Sequence, residues 1–201
     1  MDITLYEFGP TRSARCRWTL LELDLPFEGI EARSMIGSEE LKKIHPLGKL
    51  PAAVIDGRPL FESGAICTFL ADANPDRGLI GTPGTWERAL HDQWVCFTFA
   101  ELEAWLWHSA KNTFVYPEEE RIADVIAPNG REARKGAAVV NDVLSTSDYL
   151  IGDAFSVTDI ILSYALNWAR RAGLTDGLDA VNAYLDRLYE RPHCSYTRPE
   201  Q

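Results

Sequence analysis

Residues 48–66, GKLPAAVIDGRPLFESGAI, decide the fold of the first part of the chain. Ala52–Ile55 is a short apolar run, and Pro51 before it is tolerated at a strand start because proline has no N–H to pair. Asp56-Gly57 is a strong tight-turn dipeptide, and Leu60-Phe61 follows it as a second short strand. The stretch therefore predicts a β-hairpin that leads into a helix.

The end of this hairpin combines polar groups with a helix start. Glu62-Ser63-Gly64 breaks the second strand, and a helical pattern begins at Ala65. Ser63 is predicted to N-cap this helix, with the Glu62 carboxylate beside its positive end. A carboxylate and a hydroxyl at a helix start suit a ligand that carries both an ammonium and a carboxylate group. From pattern alone, an ordinary hairpin with a capped helix is an equally good interpretation.

The residues on either side of the hairpin complete an α/β pattern. They predict a strand at 3–8, a break at Gly9-Pro10, a helix from Ser13 that Pro26 ends, a strand at 27–32 and a short helix that Ser38 caps. The parallel strands of such a unit require crossover helices between them. We therefore predict an α/β domain over residues 1–77.

The character of the chain changes after residues 74–84, NPDRGLIGTPG, which are dense in Pro and Gly and predict a linker. Helical patterns follow at about 85–111, 131–144, 157–172 and 178–191, with no convincing strand. Residues 156–159, SVTD, form a capping box, which predicts a role in folding. We predict an all-helical domain over residues 85–201.

Composition excludes several classes of function. The formal net charge of -10 disfavours nucleic acid and anionic membrane surfaces as partners. There is no apolar run near the ~18 residues that span a bilayer, and the start of the chain lacks the pattern of a signal peptide. Four Cys and four His lack metal-ligand spacing, which predicts no metal site and reduced, mostly buried thiols in a cytoplasmic protein.

Two motifs carry a resemblance to a known family. LFESGAI at residues 60–66 and YLIGDAFSVTDI at 149–160 resemble the cytosolic glutathione transferases, in particular bacterial members of the Ser/Thr type. The resemblance covers nearly the whole chain. It implies a thioredoxin-like, glutathione-binding domain over residues 1–77, followed by the all-helical domain over residues 85–201.

The resemblance also assigns residues to glutathione. It implies that Pro51 is a cis-proline, that the backbone of Leu50 pairs with the cysteinyl part, and that Glu62 and Ser63 hold the γ-glutamyl end. Lys49 is placed to pair with the glycyl carboxylate, as is His45. A solvated loop lysine is the alternative for Lys49.

The loop that runs into the first helix carries the groups for thiol activation. Activation lowers the thiol pKa from ~8.5, and a hydroxyl donor, a helix N-terminus or nearby positive charge can each do this. The resemblance places Thr11 at the activating position, with Ser13 as the alternative donor or a helix cap. Tyr6 is a candidate only if the first strand ends early, and Cys16 falls inside the helix. Arg12 and Arg15 either raise the local potential or face solvent.

An aromatic helix in the second domain is the candidate contact for a co-substrate. Trp105 and His108 fall on one face of the 85–111 helix and are predicted to contact a small hydrophobic electrophile in an apolar cleft between the domains. A plain core stripe, with a hydrogen-bonded structural His108, is the alternative.

Three functions follow from these expectations. The first is a glutathione transferase that conjugates the thiolate to the electrophile, with glutathione as co-substrate and no metal or redox cofactor. The second is a glutathione-dependent disulfide or peroxide reductase, and the third is a non-catalytic transferase-like binding protein. The resemblance further implies a homodimer with a role in detoxification.

Overall fold

The computed structural model describes residues 1–9 and 11–196, so the predicted break at Pro10 lies outside the described residues. The chain divides into two compact units. The first is Met1–Arg88 together with the segment that begins at Arg191, and the second is Ala89–Glu190. The predicted first domain ends at residue 77 and the predicted second domain begins at residue 85, whereas the structural division falls after residue 88.

The first unit is built on one four-stranded sheet. Its strands are β1 (Ile3–Glu7), β2 (Glu28–Glu31), β3 (Ala52–Ile55) and β4 (Arg58–Phe61). They lie in the order β2-β1-β3-β4, with β1 and β2 parallel and the other two pairs antiparallel. With α1 (Ser13–Glu22), α2 (Glu39–Lys42) and α3 (Ser63–Asp72), this arrangement confirms the predicted thioredoxin-like α/β fold.

Local capping rules explain one helix start of this unit and fail at another. Ser38 N-caps α2 as predicted, because its hydroxyl accepts from the Leu41 N–H at 3.1 Å. The predicted cap at Ser63 is wrong. Glu62 is the N-cap of α3, without a side-chain capping bond, and Ser63 is the first helical residue. The hydroxyl of Ser63 instead contacts another helix, as described below.

The segment after residue 190 packs on α1 of the first unit. Arg191 donates to both carboxylate oxygens of Glu22, at 3.1 and 2.8 Å. The Trp18 indole also donates to Glu22, at 2.8 Å, and the ring of Tyr196 lies edge-on to Trp18 at 4.9 Å. Burial opposes ionisation of Glu22, but the bonds from Arg191 and Trp18 outweigh it and lower the pKa of this carboxyl.

Helices make up the remaining elements, and the described residues after β4 contain no strand. This confirms the all-helical prediction for this part of the chain. The α-helices are α4 (Trp86–Phe97), α5 (Ala104–Ala110), α6 (Ile126–Leu144), α7 (Val157–Arg171) and α8 (Asp179–Tyr189). None of the helices in the described part of the chain has both the length and the apolar character that crossing a bilayer requires.

Two helices differ from their predicted form. The predicted 85–111 helix is interrupted by π-helical turns at Thr98–Glu103 and extended by a second π segment at Lys111–Val115. The helix predicted from residue 131 begins at Ile126, and Pro128 falls in its first turn, where proline is tolerated.

Two of the four cysteines are buried, Cys16 and Cys67, whereas Cys96 is exposed and Cys194 is partly exposed. The expectation of mostly buried thiols therefore holds for half of them.

A buried capping box anchors α7 in the second unit. The Asp159 carboxylate accepts from the Ser156 N–H at 2.8 Å and from the Ser156 hydroxyl at 2.9 Å. It also accepts from the Leu150 N–H at 3.1 Å and the Tyr184 hydroxyl at 2.9 Å, and the side chain is fully buried. One carboxylate thus satisfies four donors, which confirms the predicted role of this motif in folding.

Replacing Asp159 should destabilise the protein more than replacing its capping partner. Asp159→Ala leaves four donors without their acceptor, and each buried donor left unpaired should lower the free energy of unfolding by about 1–3 kcal/mol. Ser156→Ala should lower it by about 1 kcal/mol. Urea unfolding measures both free energies. Asp142→Ala, at an exposed acid on α6, is the matched control. A loss for Asp159→Ala no larger than for this control would contradict the assignment.

Candidate functional site

The register of the sheet places three segments at one end of it. Tyr6 at the end of β1 pairs with Ala52 at the start of β3, which pairs with Phe61 at the end of β4. The loop after β1, the residues before β3 and the residues after β4 therefore meet at the same edge. Because neighbouring strands lie about 4.8 Å apart, the distance from β1 to β4 is about 10 Å.

Apart from His45, the predicted glutathione contacts lie in these three segments. Thr11 and Ser13 follow β1, Lys49 to Pro51 precede β3, and Glu62 and Ser63 follow β4. Tyr6 lies within β1, paired on both sides, so β1 does not end early enough for Tyr6 to be the activating residue.

The hydroxyls of Thr11 and Ser13 form one hydrogen-bonded pair. Thr11 donates its single proton to the carbonyl of Phe8. The two hydroxyl oxygens are 2.9 Å apart, so Ser13 must be the donor between them. The Phe8 N–H donates to the Ser13 oxygen at 3.3 Å, and the Ser13 N–H donates to the Thr11 oxygen at 3.3 Å. The Ser13 proton can therefore turn to another acceptor without disturbing the bond from Thr11 to Phe8.

Ser13 also borders a cavity of about 290 Å³ within the first unit. One wall of this cavity carries an ion pair, in which the Arg17 Nε donates to Glu7 at 2.8 Å. Gly29 lies against this pair, since a Cβ there would fall 2.6 Å from a Glu7 carboxylate oxygen. The cavity thus combines a paired charge with the hydroxyl at the start of α1.

The segment before β3 has unpaired backbone groups among the described residues. The Leu50–Pro51 peptide bond is cis, as the resemblance implied. Within the described residues, the N–H and C=O of Leu50 make no backbone hydrogen bond. Gly48 has a φ of +58°, and a Cβ there would lie 2.9 Å from Gly37, so the turn that presents Lys49 requires glycine. Lys49 itself is exposed, with no ion pair among the described residues.

Glu62 has a backbone conformation that is uncommon for a residue with a side chain. Its φ is +70° and its ψ is 115°, and such outliers concentrate at ligand sites. The side chain is exposed, and its carboxylate has no hydrogen bond or ion pair among the residues the structure describes. A free carboxylate at the end of β4 is therefore available to a ligand cation.

The burial of Arg15 was not predicted from the sequence. Arginines in a first helical turn commonly face solvent, yet Arg15 is fully buried and donates to the Ser63 hydroxyl at 3.2 Å. The only hint in the sequence was that α1 has no acidic residue in its first turn and carries a cation there, which opposes the helix dipole.

His45 is a poor cation at this site. The side chain is buried, and its Nδ1 accepts from the Leu47 N–H at 3.2 Å, which fixes the tautomer with the proton on Nε2. Burial, with a smaller contribution from the charge of Lys49, lowers the pKa of His45. His45 is therefore a neutral donor near pH 7, and of the two predicted partners for a glycyl carboxylate, Lys49 carries the charge.

Trp105 and His108 lie among side chains of the second unit. Trp105 packs against a cluster of Leu106, Ala133 and Ala169, and its Nε1 is buried with no hydrogen-bond partner in the described part of the chain. The His108 Nδ1 lies 3.2 Å from the amide nitrogen of Asn129 and 3.4 Å from its amide oxygen. Their predicted contact with a co-substrate stays a prediction.

No group of three or more His, Cys, Asp or Glu side chains able to hold a metal occurs among the described residues.

Comparison with known proteins gives consistent matches over both parts of the chain. The family model described as "Glutathione S-transferase, N-terminal domain" matches residues 1–72, and that described as "Glutathione S-transferase, C-terminal domain" matches residues 123–187.

Two proteins of similar length illustrate the likeness. Glutathione S-transferase GstA of Escherichia coli O157:H7 is 29% identical over 94% of this chain and 87% of its own length. The crystal structure of a glutathione transferase from Methylococcus capsulatus is 27% identical, with a TM-score of 0.80, over 96% of this chain and 95% of that one. A protein of another name also matches. Probable elongation factor 1-gamma 2 of Arabidopsis thaliana is 26% identical over 76% of this chain but only 36% of its own length.

The lowered pKa of His45 predicts how stability depends on pH. In the unfolded chain His45 binds a proton below about pH 6.5, whereas the folded chain resists it. The free energy of unfolding should therefore fall as the pH drops below about 6.5 toward the lower pKa of the folded state. His45 can contribute at most about 1.4 kcal/mol of this loss per pH unit. His45→Gln should flatten this part of the dependence, measured as urea unfolding free energy against pH. The exposed His193→Gln is the control, and an identical pH dependence in His45→Gln and the unaltered chain would contradict the assignment.

Proposed function

Because the chain belongs to the glutathione transferase family, we propose that it binds glutathione at the end of the sheet in the first unit and conjugates the thiolate to an apolar electrophile. The observation that carries this proposal is the convergence of three ligand-type groups at one sheet edge. They are the unpaired Glu62 carboxylate, the open backbone of Leu50 and the hydroxyl pair at the start of α1.

The spacing of these groups suits an extended tripeptide. The α-ammonium of the γ-glutamyl residue would contact the Glu62 carboxylate, and the adjacent carboxylate would contact Ser63 at the N-terminus of α3. The cysteinyl N–H and C=O would pair with the backbone of Leu50, and Lys49 would contact the glycyl carboxylate. The distance of about 10 Å from β1 to β4 is close to the length of three extended residues.

Ser13 is proposed as the group that stabilises the thiolate, with Thr11 positioning it. The Ser13 proton can turn from the Thr11 oxygen to the ligand sulfur, while the bond from the Phe8 N–H keeps its oxygen in place. The N-terminus of α1 adds its partial positive charge. The thiol loses its proton to solvent, and the thiolate forms a bond to the electrophilic carbon as the leaving group departs. No metal or redox cofactor takes part, because orientation and a lowered thiol pKa suffice.

The cavity beside Ser13 offers room for a small electrophile next to the sulfur. Trp105 and His108 remain proposed contacts, and the unpartnered Trp105 Nε1 would favour a co-substrate that carries a hydrogen-bond acceptor. A homodimer, a cytoplasmic location and a role in detoxification are proposed from the family.

The match to an elongation factor makes a non-catalytic binding protein the second candidate. A glutathione-dependent disulfide or peroxide reductase is the third, and it would use glutathione as the only thiol, because Cys16 is buried inside α1. Calorimetry with glutathione, followed by assays with a chloronitrobenzene and with a small disulfide, separates the three. Conjugation supports the transferase, turnover of the disulfide alone supports the reductase, and binding without turnover supports the binding protein. An absence of heat with glutathione would contradict the proposed site.

Removing the Ser13 hydroxyl should impair thiol activation more than removing that of Thr11. Ser13→Ala should lower kcat by about a hundredfold, at the lower end of the range found for a single donor to a developing anion. It should also raise the pKa of the bound thiol, measured by thiolate ultraviolet absorbance against pH. Thr11→Ala should have a smaller effect, and Thr113→Ala, at an exposed hydroxyl on the second π segment, is the control. Full turnover in the single variants and in the double variant would show that this activation model is wrong.

A further inference from the structure

The first turn of α1 contains a buried cation. Arg15 is the third residue of this helix and is fully buried. Positive charge at a helix N-terminus opposes the helix dipole, and burial adds a desolvation penalty. Arginine at this position is therefore costly unless other groups bind the guanidinium, and the Ser63 hydroxyl is one such group.

The hydrogen bond between Arg15 and Ser63 has only one possible direction. A guanidinium group carries donors and no acceptor, so the Ser63 hydroxyl accepts the bond from Arg15 Nη1 at 3.2 Å. The proton of Ser63 must then point elsewhere, and within the described residues it has no acceptor. Ser63 begins α3, whose free N–H groups face the same end of the sheet.

Further contacts hold this pair in place. The Cys16 thiol lies 3.9 Å from the Ser63 carbonyl, and the Cys67 sulfur lies 4.0 Å from that of Cys16. The Thr19 hydroxyl donates to the Arg15 carbonyl at 2.9 Å. The first turns of α1 and α3 are thus joined by packed side chains, which limits the motion of the guanidinium relative to Ser63.

We propose that Arg15 is a positioning residue for anion recognition: it orients the Ser63 hydroxyl toward the ligand and adds positive potential at the N-terminus of α3. The ligand group that fits is a carboxylate. This inference rests on the proposed function, in which that group is the α-carboxylate of the γ-glutamyl residue. The same turn of α1 then carries Ser13, which faces the sulfur, and Arg15, which acts on the opposite end of the tripeptide through Ser63.

The test compares glutathione with an analogue that lacks this carboxylate, 4-aminobutyryl-cysteinylglycine, by titration calorimetry. Arg15→Met should weaken glutathione binding by about tenfold or more, in line with the loss of a hydrogen bond to a charged group. It should leave the affinity for the analogue within about twofold, because the analogue has no group for Ser63 to bind. Arg15→Lys, which keeps a cationic donor, should restore part of the preference for glutathione. Arg77→Met, which removes an exposed charge from the same unit, should change neither affinity.

The outcomes separate this inference from the proposed function. If the unaltered chain binds no glutathione, the proposed function fails and the inference fails with it. If the unaltered chain binds glutathione and Arg15→Met keeps the full preference over the analogue, only the role of Arg15 is wrong. Equal weakening of both ligands would show a merely structural role and would also overturn it.

A crystal structure of the unaltered chain with glutathione tests the proposal even if the Arg15 variants do not fold. The expected result is a Ser63 oxygen within hydrogen-bond distance of both the Arg15 guanidinium and the α-carboxylate. A complex in which Arg15 does not contact Ser63 would overturn the proposal.

Discussion

The antiparallel pairing of β1 with β3 is the constraint on which the candidate site depends. It brings the start of β3 beside the end of β1, and the β3–β4 hairpin then carries Glu62 to the same edge. A shift of this register by one residue would turn every side chain of β3 to the other face of the sheet. Both faces of β3 are covered, so such a shift would exchange Ala53 and Ile55 with Ala52 and Val54 and would force both packed faces to rearrange.

The positive groups within the candidate site are opposed by the negative charge of the whole protein. With a formal net charge of -10, the chain repels an anionic tripeptide at long range. Screening weakens that repulsion beyond about 8 Å at physiological salt, so nearby groups dominate within the site. The N-termini of α1 and α3, Lys49 and the buried Arg15 supply positive potential there. Each lies in one of the segments that the sheet register brings together or in the helix that follows it.

Sequence reasoning succeeded where the deciding contact is local. The cap at Ser38 and the capping box of Ser156 and Asp159 involve residues three positions apart, so their chemistry is visible in a short window. The hairpin is similarly determined by its Asp-Gly turn. The family resemblance added the cis peptide at Pro51, which pattern alone does not indicate.

Sequence reasoning failed where a residue distant in the sequence determines the local contact. The Ser63 hydroxyl does not cap its helix, because Ser63 is the first helical residue, and it accepts instead from Arg15, 48 residues earlier. The start of α6 was placed at residue 131 instead of Ile126, and this first part of the helix holds Asn129, whose contact with His108 joins residues 21 positions apart. The direction of the proton between Thr11 and Ser13 likewise depends on the Phe8 carbonyl, and only the folded loop shows that contact.

The packing of residues 191–196 on α1 makes the first unit discontinuous in sequence. A chimera that exchanged only residues 1–88 with those of a relative would leave Glu22 without Arg191 and would pair Trp18 with a foreign aromatic ring or none. Substitutions in residues 1–88 are therefore constrained by residues 191–196. Substitutions near Arg191 and Tyr196 should covary with those at Glu22 and Trp18, although the two sites lie at opposite ends of the sequence.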